Sequence, residues 1–347
     1  MKGIAFHGIE DVRVEQFPDP EIVDPDDVIV NVKRTSICGS DLHVYYGREK
    51  GLDEGTILGH EFVGEVMEAG PASKWKVGQR VMSPFTTSCG DCYYCKLGLT
   101  SRCEQGSLFG WVEQGRGLHG AQAEYVKVPL SNSTLVEIPY DLSWEDGLFL
   151  GDIFSTGFYC AEQAEIKPYG VYAVLGCGPV GLMTIAASRL LGAEKIFAVD
   201  AVEQRLQKAK ELGAIPISLD ENVTEIIREA TEGRGADAVM EGVGSFKAGR
   251  NAYDLLRAGG IISTIGVCTS NDFYFNPAEA YEKNVTFKVG RCPARYYMDK
   301  LIPVLQEGKV SPESIITQRM SLTEGRKAYD IFANKKEGCL KIILLAS

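Results

Sequence analysis

At 347 residues the chain is too long for one hydrophobic core, so two domains are expected. Its net charge of −11 argues against the phosphate backbone of nucleic acids and against anionic membranes as partners. With 45 % hydrophobic and 24 % charged residues it has the make-up of a globular protein, neither disordered nor membrane-spanning.

Met1 and Lys2 run directly into a strand-like start, Gly3-Ile4-Ala5-Phe6, with no long apolar targeting stretch. A cytoplasmic location is therefore expected. There the ten cysteines would stay reduced, and a disulfide scaffold is not expected. The first part of the chain is β-rich. Residues 28–32 and 62–66 alternate apolar and polar like half-buried strands, and the turn cluster Asp24-Pro25-Asp26-Asp27 separates strands. No helical period is sustained before about Ser143.

Two polar, glycine-flanked clusters lie in this β-rich part: Cys38-Gly39-Ser40-Asp41-Leu42-His43 and Gly59-His60-Glu61. Cysteine, histidine and a carboxylate are zinc ligands of the kind that leave a fourth position open. Spacing alone leaves this a suggestion, since a lone histidine is usually a satisfied structural residue. The run Cys89-Gly-Asp-Cys92-Tyr-Tyr-Cys95, followed by Cys103, is stronger. Four thiolates so spaced can surround one tetrahedral zinc, and a site closed by sulfur leaves no room for water, which makes it structural. An iron–sulfur cluster and a partner-binding zinc ribbon are the alternatives.

From Val171 the pattern changes to strands alternating with helices. Strands are expected at 171–175, 195–199, 236–240 and 260–265, and helices at 179–191, 203–212, 223–231 and 246–257. That alternation reads as a doubly wound parallel sheet, and the fold class is α/β. A helix at 297–306 and a strand at 341–345 close the chain. Gly176-Cys177-Gly178-Pro179-Val180-Gly181 fits G-x-G-x-x-G between a strand and a helix, with Asp200 at the end of the next strand. Gly176 allows the tight turn, Gly178 lets the backbone approach a pyrophosphate, and Gly181 lets the helix pack on the strand. The helix N-terminus offers free N–H groups to phosphate. Asp200 suits the ribose hydroxyls of NAD and repels the extra phosphate of NADP, whereas Arg205 nearby could pair with that phosphate. As a plain helix cap, Asp200 would have no ligand at all.

C-G-S-D-x-H, G-H-E, C-x-x-C-x-x-C-x7-C and G-x-G-x-x-G stand in the order found in the zinc-containing alcohol dehydrogenases of the medium-chain dehydrogenase/reductase superfamily. The chain resembles that family over nearly its full length. The resemblance implies a GroES-like β-rich catalytic domain from residues 1–152 and 291–347, with a zinc lobe at about 85–110. A Rossmann domain, 153–290, is inserted between its parts. It implies two zincs per chain, NAD as cofactor, and hydride exchange between a small alcohol or aldehyde and NAD through a zinc-held alkoxide. The catalytic zinc ligands implied are Cys38, His60 and Asp152, with Glu61 able to enter the coordination and Asp41 orienting the histidine. Asp152 stands where animal-type enzymes carry cysteine, as in bacterial secondary-alcohol and formaldehyde-oxidising branches. Cys89, Cys92, Cys95 and Cys103 match the structural zinc site. Ser40 and His43 match a proton relay running through the nicotinamide ribose. Phe85 matches a pocket position, Trp111 and Tyr45 are weaker pocket candidates, and Arg291 matches a region that can reach the cofactor. A homotetramer is expected. A polyol, threonine or formaldehyde dehydrogenase of the same superfamily is the alternative, followed by a zinc-stabilised binding protein without catalysis.

Overall fold

In the computed structural model, which describes residues 1–346, the chain forms two compact units. One is Met1–Ser155 together with the stretch from Pro293 onward, and the other is Thr156–Cys292. The sequence places the breaks at 152/153 and 290/291. The observed breaks fall two or three residues later, because Ile153, Phe154 and Ser155 open a helix yet group with the first unit.

The second unit holds a six-stranded, all-parallel sheet. Its spatial order is Ile215–Ser218, Lys195–Asp200, Val171–Leu175, Ala236–Glu241, Leu256–Thr264 and Thr286–Val289. Numbered along the chain this is 3-2-1-4-5-6, the order of the doubly wound dinucleotide fold. Val171–Leu175 is buried along its whole length, as a strand covered on both faces must be. The helices expected at 179–191, 203–212 and 223–231 appear as Pro179–Leu190, Glu203–Glu211 and Val223–Glu229. The one shift of substance is between helix and strand near residue 256. The helix Phe246–Leu255 stops two residues early, because Leu256 already pairs with Ala236 before the register slips. Neither edge strand is among those expected from the sequence: Ile215–Ser218 is four residues long, and so is Thr286–Val289. The latter is half-exposed and carries no clear alternation.

The first unit is built on a mixed seven-stranded sheet. Val28–Ser36 is its hub, antiparallel to Phe62–Ala69, to Tyr125–Val128 and to the closing strand Lys341–Leu345. The closing strand runs parallel to Ile316–Ser321. Among the described residues no helix is long and apolar enough to cross a membrane.

One ion pair ties the closing strand to the middle of this sheet. Lys341 is fully buried, as is Glu61. The ammonium Nζ lies 2.8 Å from each carboxylate oxygen and donates to the Ile37 carbonyl at 3.1 Å. Ser36 Oγ donates to the same carboxylate. Burial pulls the Lys341 pKa down, but Glu61 outweighs it and the net shift is upward. A buried pair of this kind adds little over an apolar replacement, yet losing one partner strands the other charge. Lys341→Met should therefore lower stability by about 3–5 kcal/mol in urea unfolding. Adding Glu61→Gln should recover most of that loss, and a double variant as unstable as the single one would speak against the pair as the cause.

Candidate active site

The site begins where the hub strand ends. Past Ser36 the chain turns, and the Cys38 amide donates to Asp41 Oδ2 at 3.0 Å. Asp41 opens the short helix Asp41–Tyr45. Its other oxygen lies 3.3 Å from His60 Nδ1, which points the opposite ring nitrogen, Nε2, into the site. His60 follows Gly59 at φ +89°, a conformation other residues avoid, and a Cβ there would run into Gln122. Gln122 is itself a fixed support. Its amide donates to Asp41 Oδ2 at 3.2 Å and to the Ser36 carbonyl at 3.1 Å, and its oxygen accepts from the Tyr329 hydroxyl at 2.9 Å. Sequence reading missed Gln122, Tyr329 and Lys341. None belongs to a motif, and each meets its partner across a long stretch of chain.

Asp152 sits at the break between the helices Trp144–Gly151 and Ile153–Gln163, at φ −147° and ψ −83°. Its Oδ2 lies 3.3 Å from His60 Nε2 and 3.7 Å from Cys38 Sγ. One donor atom each from Cys38, His60, Glu61 and Asp152 falls within 4.8 Å of all the others, and all four residues are buried. Burial, then Asp152 and Glu61, push the Cys38 thiol above its ordinary value. Burial acts to lower the His60 pKa, but Asp41 and Asp152 outweigh it and hold the imidazole well above its usual range. The Cys38 thiol and the Glu61 and Asp152 carboxyls are thus buried together, with Lys341 as the buried lysine beside them. A divalent cation would relieve that crowding, and the sulfur–nitrogen–oxygen donor set suits zinc.

Ser40 and Phe85, both singled out in the sequence, touch this cluster. Ser40 Oγ is 3.2 Å from His60 Nε2. The Phe85 ring meets the His60 ring edge-on, with centroids 6.3 Å apart. His43 is half-buried, and its Nδ1 is shut away from solvent without a hydrogen-bond partner. Burial lowers its pKa, Glu49 opposes and Arg48 adds. Tyr45, by contrast, is a core residue packed on Tyr329, and Trp111 lies against the same apolar cluster. Arg291 is exposed at the end of the second unit. The remaining histidines serve elsewhere: His119 accepts the Ile57 amide, and His7 lies between Glu15 and Glu54.

The four-cysteine lobe is equally compact. The sulfurs of Cys89, Cys92, Cys95 and Cys103 lie within 4.8 Å of one another, and all four are free thiols. Backbone amides point at them: Cys92 N donates to Cys89 Sγ at 3.3 Å and Cys89 N to Cys103 Sγ at 3.2 Å. Backbone hydrogen bonds at Glu104 and Cys95 bring the Cys92 thiol down to about 6, whereas burial pushes the neighbouring Cys95 thiol up to about 12 and Cys103 upward as well. Amides aimed at sulfur favour thiolates, the form that binds metal.

In the second unit the glycine turn has the shape a dinucleotide needs. Gly176 adopts φ +87°. A Cβ on Gly181 would lie 1.8 Å from the Gly176 carbonyl oxygen, so helix and turn touch there. A Cβ on Gly178 would meet nothing closer than Arg205, 3.9 Å away, so the backbone is open to a ligand on that side. Gly178 caps the helix, with Pro179 and Val180 forming its first turn. Asp200 does not cap the helix that follows it. Its Oδ2 accepts the Cys177 amide at 2.7 Å and its Oδ1 the Val202 amide at 2.9 Å, locking the end of its strand to the glycine turn. Arg205 lies 3.6 Å from the same carboxylate.

Known proteins share this fold and much of this sequence. The alcohol dehydrogenase GroES-like domain family matches residues 24–140, and the zinc-binding dehydrogenase family matches residues 179–307. A medium-chain reductase/dehydrogenase of Acremonium sp is 45 % identical over 81 % of this chain and 98 % of its own. An uncharacterised zinc-type alcohol dehydrogenase-like protein of Bacillus subtilis is 35 % identical, covering 99 % of this chain and 100 % of its own. Among solved structures, alcohol dehydrogenase TADH from Thermus sp. ATN1 superposes with a TM-score of 0.93 at 37 % identity, over 99 % of each chain. Fold, site and relatives agree that the chain belongs to the zinc-containing alcohol dehydrogenases of the medium-chain dehydrogenase/reductase superfamily.

Proposed function

We propose that the protein is an NAD-linked alcohol dehydrogenase acting between small primary or secondary alcohols and their carbonyl partners. The observation that carries this reading is the buried gathering of Cys38, His60, Glu61 and Asp152 within 4.8 Å. Cys38, His60 and Asp152 would hold a catalytic zinc with one position open, and Glu61, kept by Lys341 and Ser36, is the alternative ligand. When bound, zinc supplies Lewis-acid polarisation of the substrate oxygen and the dinucleotide supplies hydride exchange. Cys89, Cys92, Cys95 and Cys103 would hold a second, structural zinc. Asp200, beside the glycine turn, favours NAD over NADP.

The remaining work falls to side chains. Asp41 fixes the His60 ring through Nδ1. Ser40, at the edge of the cluster, would accept the substrate's hydroxyl proton at Oγ while passing its own on, and the ribose of a bound dinucleotide would bridge it to His43, which releases the proton to solvent. Because burial lowers its pKa, His43 stays neutral and able to accept a proton at pH 7, and becomes charged only in more acidic solution. Oxidation should therefore hold through neutrality and fall off in acid.

A polyol substrate is the second reading. Relatives include the sorbitol dehydrogenase of Bacillus subtilis, 30 % identical over 99 % of this chain. The 2R,3R-butanediol dehydrogenase of the same organism superposes with a TM-score of 0.83 at 28 % identity. Assays with NAD and NADP across primary alcohols, secondary alcohols, polyols, threonine and formaldehyde decide between the readings. Zinc-replete protein that turns over none of them would overturn both.

Metal analysis should find two zincs per chain. Asp152→Ala should retain about one, with activity lost. Two zincs retained with full activity would remove Asp152 from the ligand set. His43→Gln should slow alcohol oxidation by roughly 10²-fold near pH 7. The deficit should shrink in alkaline solution, where hydroxide replaces the relay. An unchanged pH–rate profile would exclude His43 as the proton carrier.

A further inference from the structure

The second unit buries a carboxylate that no step above uses. Glu241 ends the central strand Ala236–Glu241 and is fully buried. Its Oε1 accepts two consecutive backbone amides, Val243 N at 2.6 Å and Gly244 N at 2.8 Å. Its backbone carbonyl accepts two more, Ile265 N at 3.0 Å and Gly266 N at 3.2 Å. One residue thus clamps the loops that follow two neighbouring strands. Both loops are packed to backbone contact: a Cβ on Gly266 would lie 2.2 Å from Gly244 N, and one on Gly244 would lie 2.2 Å from the Val267 carbonyl oxygen.

The clamped loop leans on the glycine turn. Gly242 N donates to the Leu175 carbonyl at 3.0 Å, and a Cβ on Gly176 would lie 2.5 Å from Val243 Cγ2. The side chains of Val243 and Val267 remain exposed at this carboxyl edge of the sheet, where ligands of open parallel sheets bind. The outer carboxylate oxygen, Oε2, has no partner. Neither has Thr264 Oγ1, whose residue is the register partner of Glu241 on the next strand. Burying a carboxylate costs free energy, and two neutral amides offset only part of it. A threonine or serine would not reach both amides, and an apolar residue would leave them orphaned.

We propose that Glu241 is a positioning residue for dinucleotide binding: by accepting the Val243 and Gly244 amides it holds residues 242–244 against the Gly176 turn, so that the binding edge is formed before the ligand arrives. This rests on reading residues 176–181 as the dinucleotide turn. Preorganisation of this kind acts on affinity, because a loop already in place costs no ordering on binding.

The test is fluorescence titration of NADH into the zinc-loaded protein, with amide hydrogen exchange as a second readout. Glu241→Ala should bind NADH about tenfold more weakly. The amides of residues 243, 244, 265 and 266 should exchange faster, while zinc content stays unchanged. Glu241→Gln keeps an acceptor oxygen of the same reach and should restore affinity to within about twofold, together with the protection of those amides. Alanine binding as tightly as wild type, or glutamine losing as much as alanine, would overturn the assignment. If the alanine variant does not fold, Glu241→Asp carries the test: one methylene shorter, it should weaken NADH several-fold, and unchanged affinity overturns the proposal. Wild-type protein that binds neither NADH nor NADPH would overturn the reading of the turn, and this assignment with it, before any variant is compared.

Discussion

A carboxylate can be taken wholly out of water only if something replaces its hydration. At Glu61 that requirement shapes the first unit. The replacement comes from Lys341 on the closing strand and Ser36 at the end of the hub strand. Holding those groups in place fixes the end of the hub strand, and that end in turn fixes Cys38 just beyond it. His60, the residue before Glu61, is then aimed by Asp41, which Gln122 holds. The donor cluster is therefore the visible end of a chain of satisfied buried polar groups. Each link is expensive to leave unmade, so the geometry of the cluster is over-determined.

The parts of this arrangement that could be read in the sequence are those whose chemistry lies in contiguous residues. Cysteine spacing announced the four-sulfur lobe. The glycines of 176–181 announced a turn whose close approach to its helix, at Gly181, and open side, at Gly178, both appear in the structure. The four inner strands of the second unit and four of its helices follow from hydrophobic period, because a parallel sheet covered on both faces leaves a continuous apolar signature; its two edge strands, Ile215–Ser218 and Thr286–Val289, do not. Gln122, Tyr329, Lys341 and Glu241 could not be read that way. A lone glutamine or lysine looks like surface until its partner is known, and here each partner lies far along the chain. Tyr45 shows the reverse failure. A motif neighbour with an aromatic ring suggests a pocket, but helical geometry turns this one into the core.

Asp152 and Asp200 are instructive as a pair. Each stood in the sequence beside a helix start, where aspartate is an ordinary cap. The structure separates Asp200 from that role, since Val202 stands at the start of the helix Glu203–Glu211. Asp152 faces a thiol and an imidazole, and Asp200 bridges a strand end to a glycine turn. The residue type permitted either use. Only the three-dimensional neighbours decide, and those neighbours come from other segments.

The pairing of the hub strand with the closing strand has a consequence in time. Residues 156–292 form a contiguous unit that can begin to fold as soon as it leaves the ribosome. The first unit cannot be completed then, although about three quarters of it is made earlier. Until residue 341 emerges, the Glu61 carboxylate has no cation to enter the interior with, and the sheet lacks the strands that finish its edge. The order of synthesis therefore inverts the order of completion: the later-made insert matures first, and the first unit waits for the strand Lys341–Leu345. During that interval Cys38, His60 and the four-cysteine lobe are exposed to the cell's metals and oxidants without the shelter of a finished core.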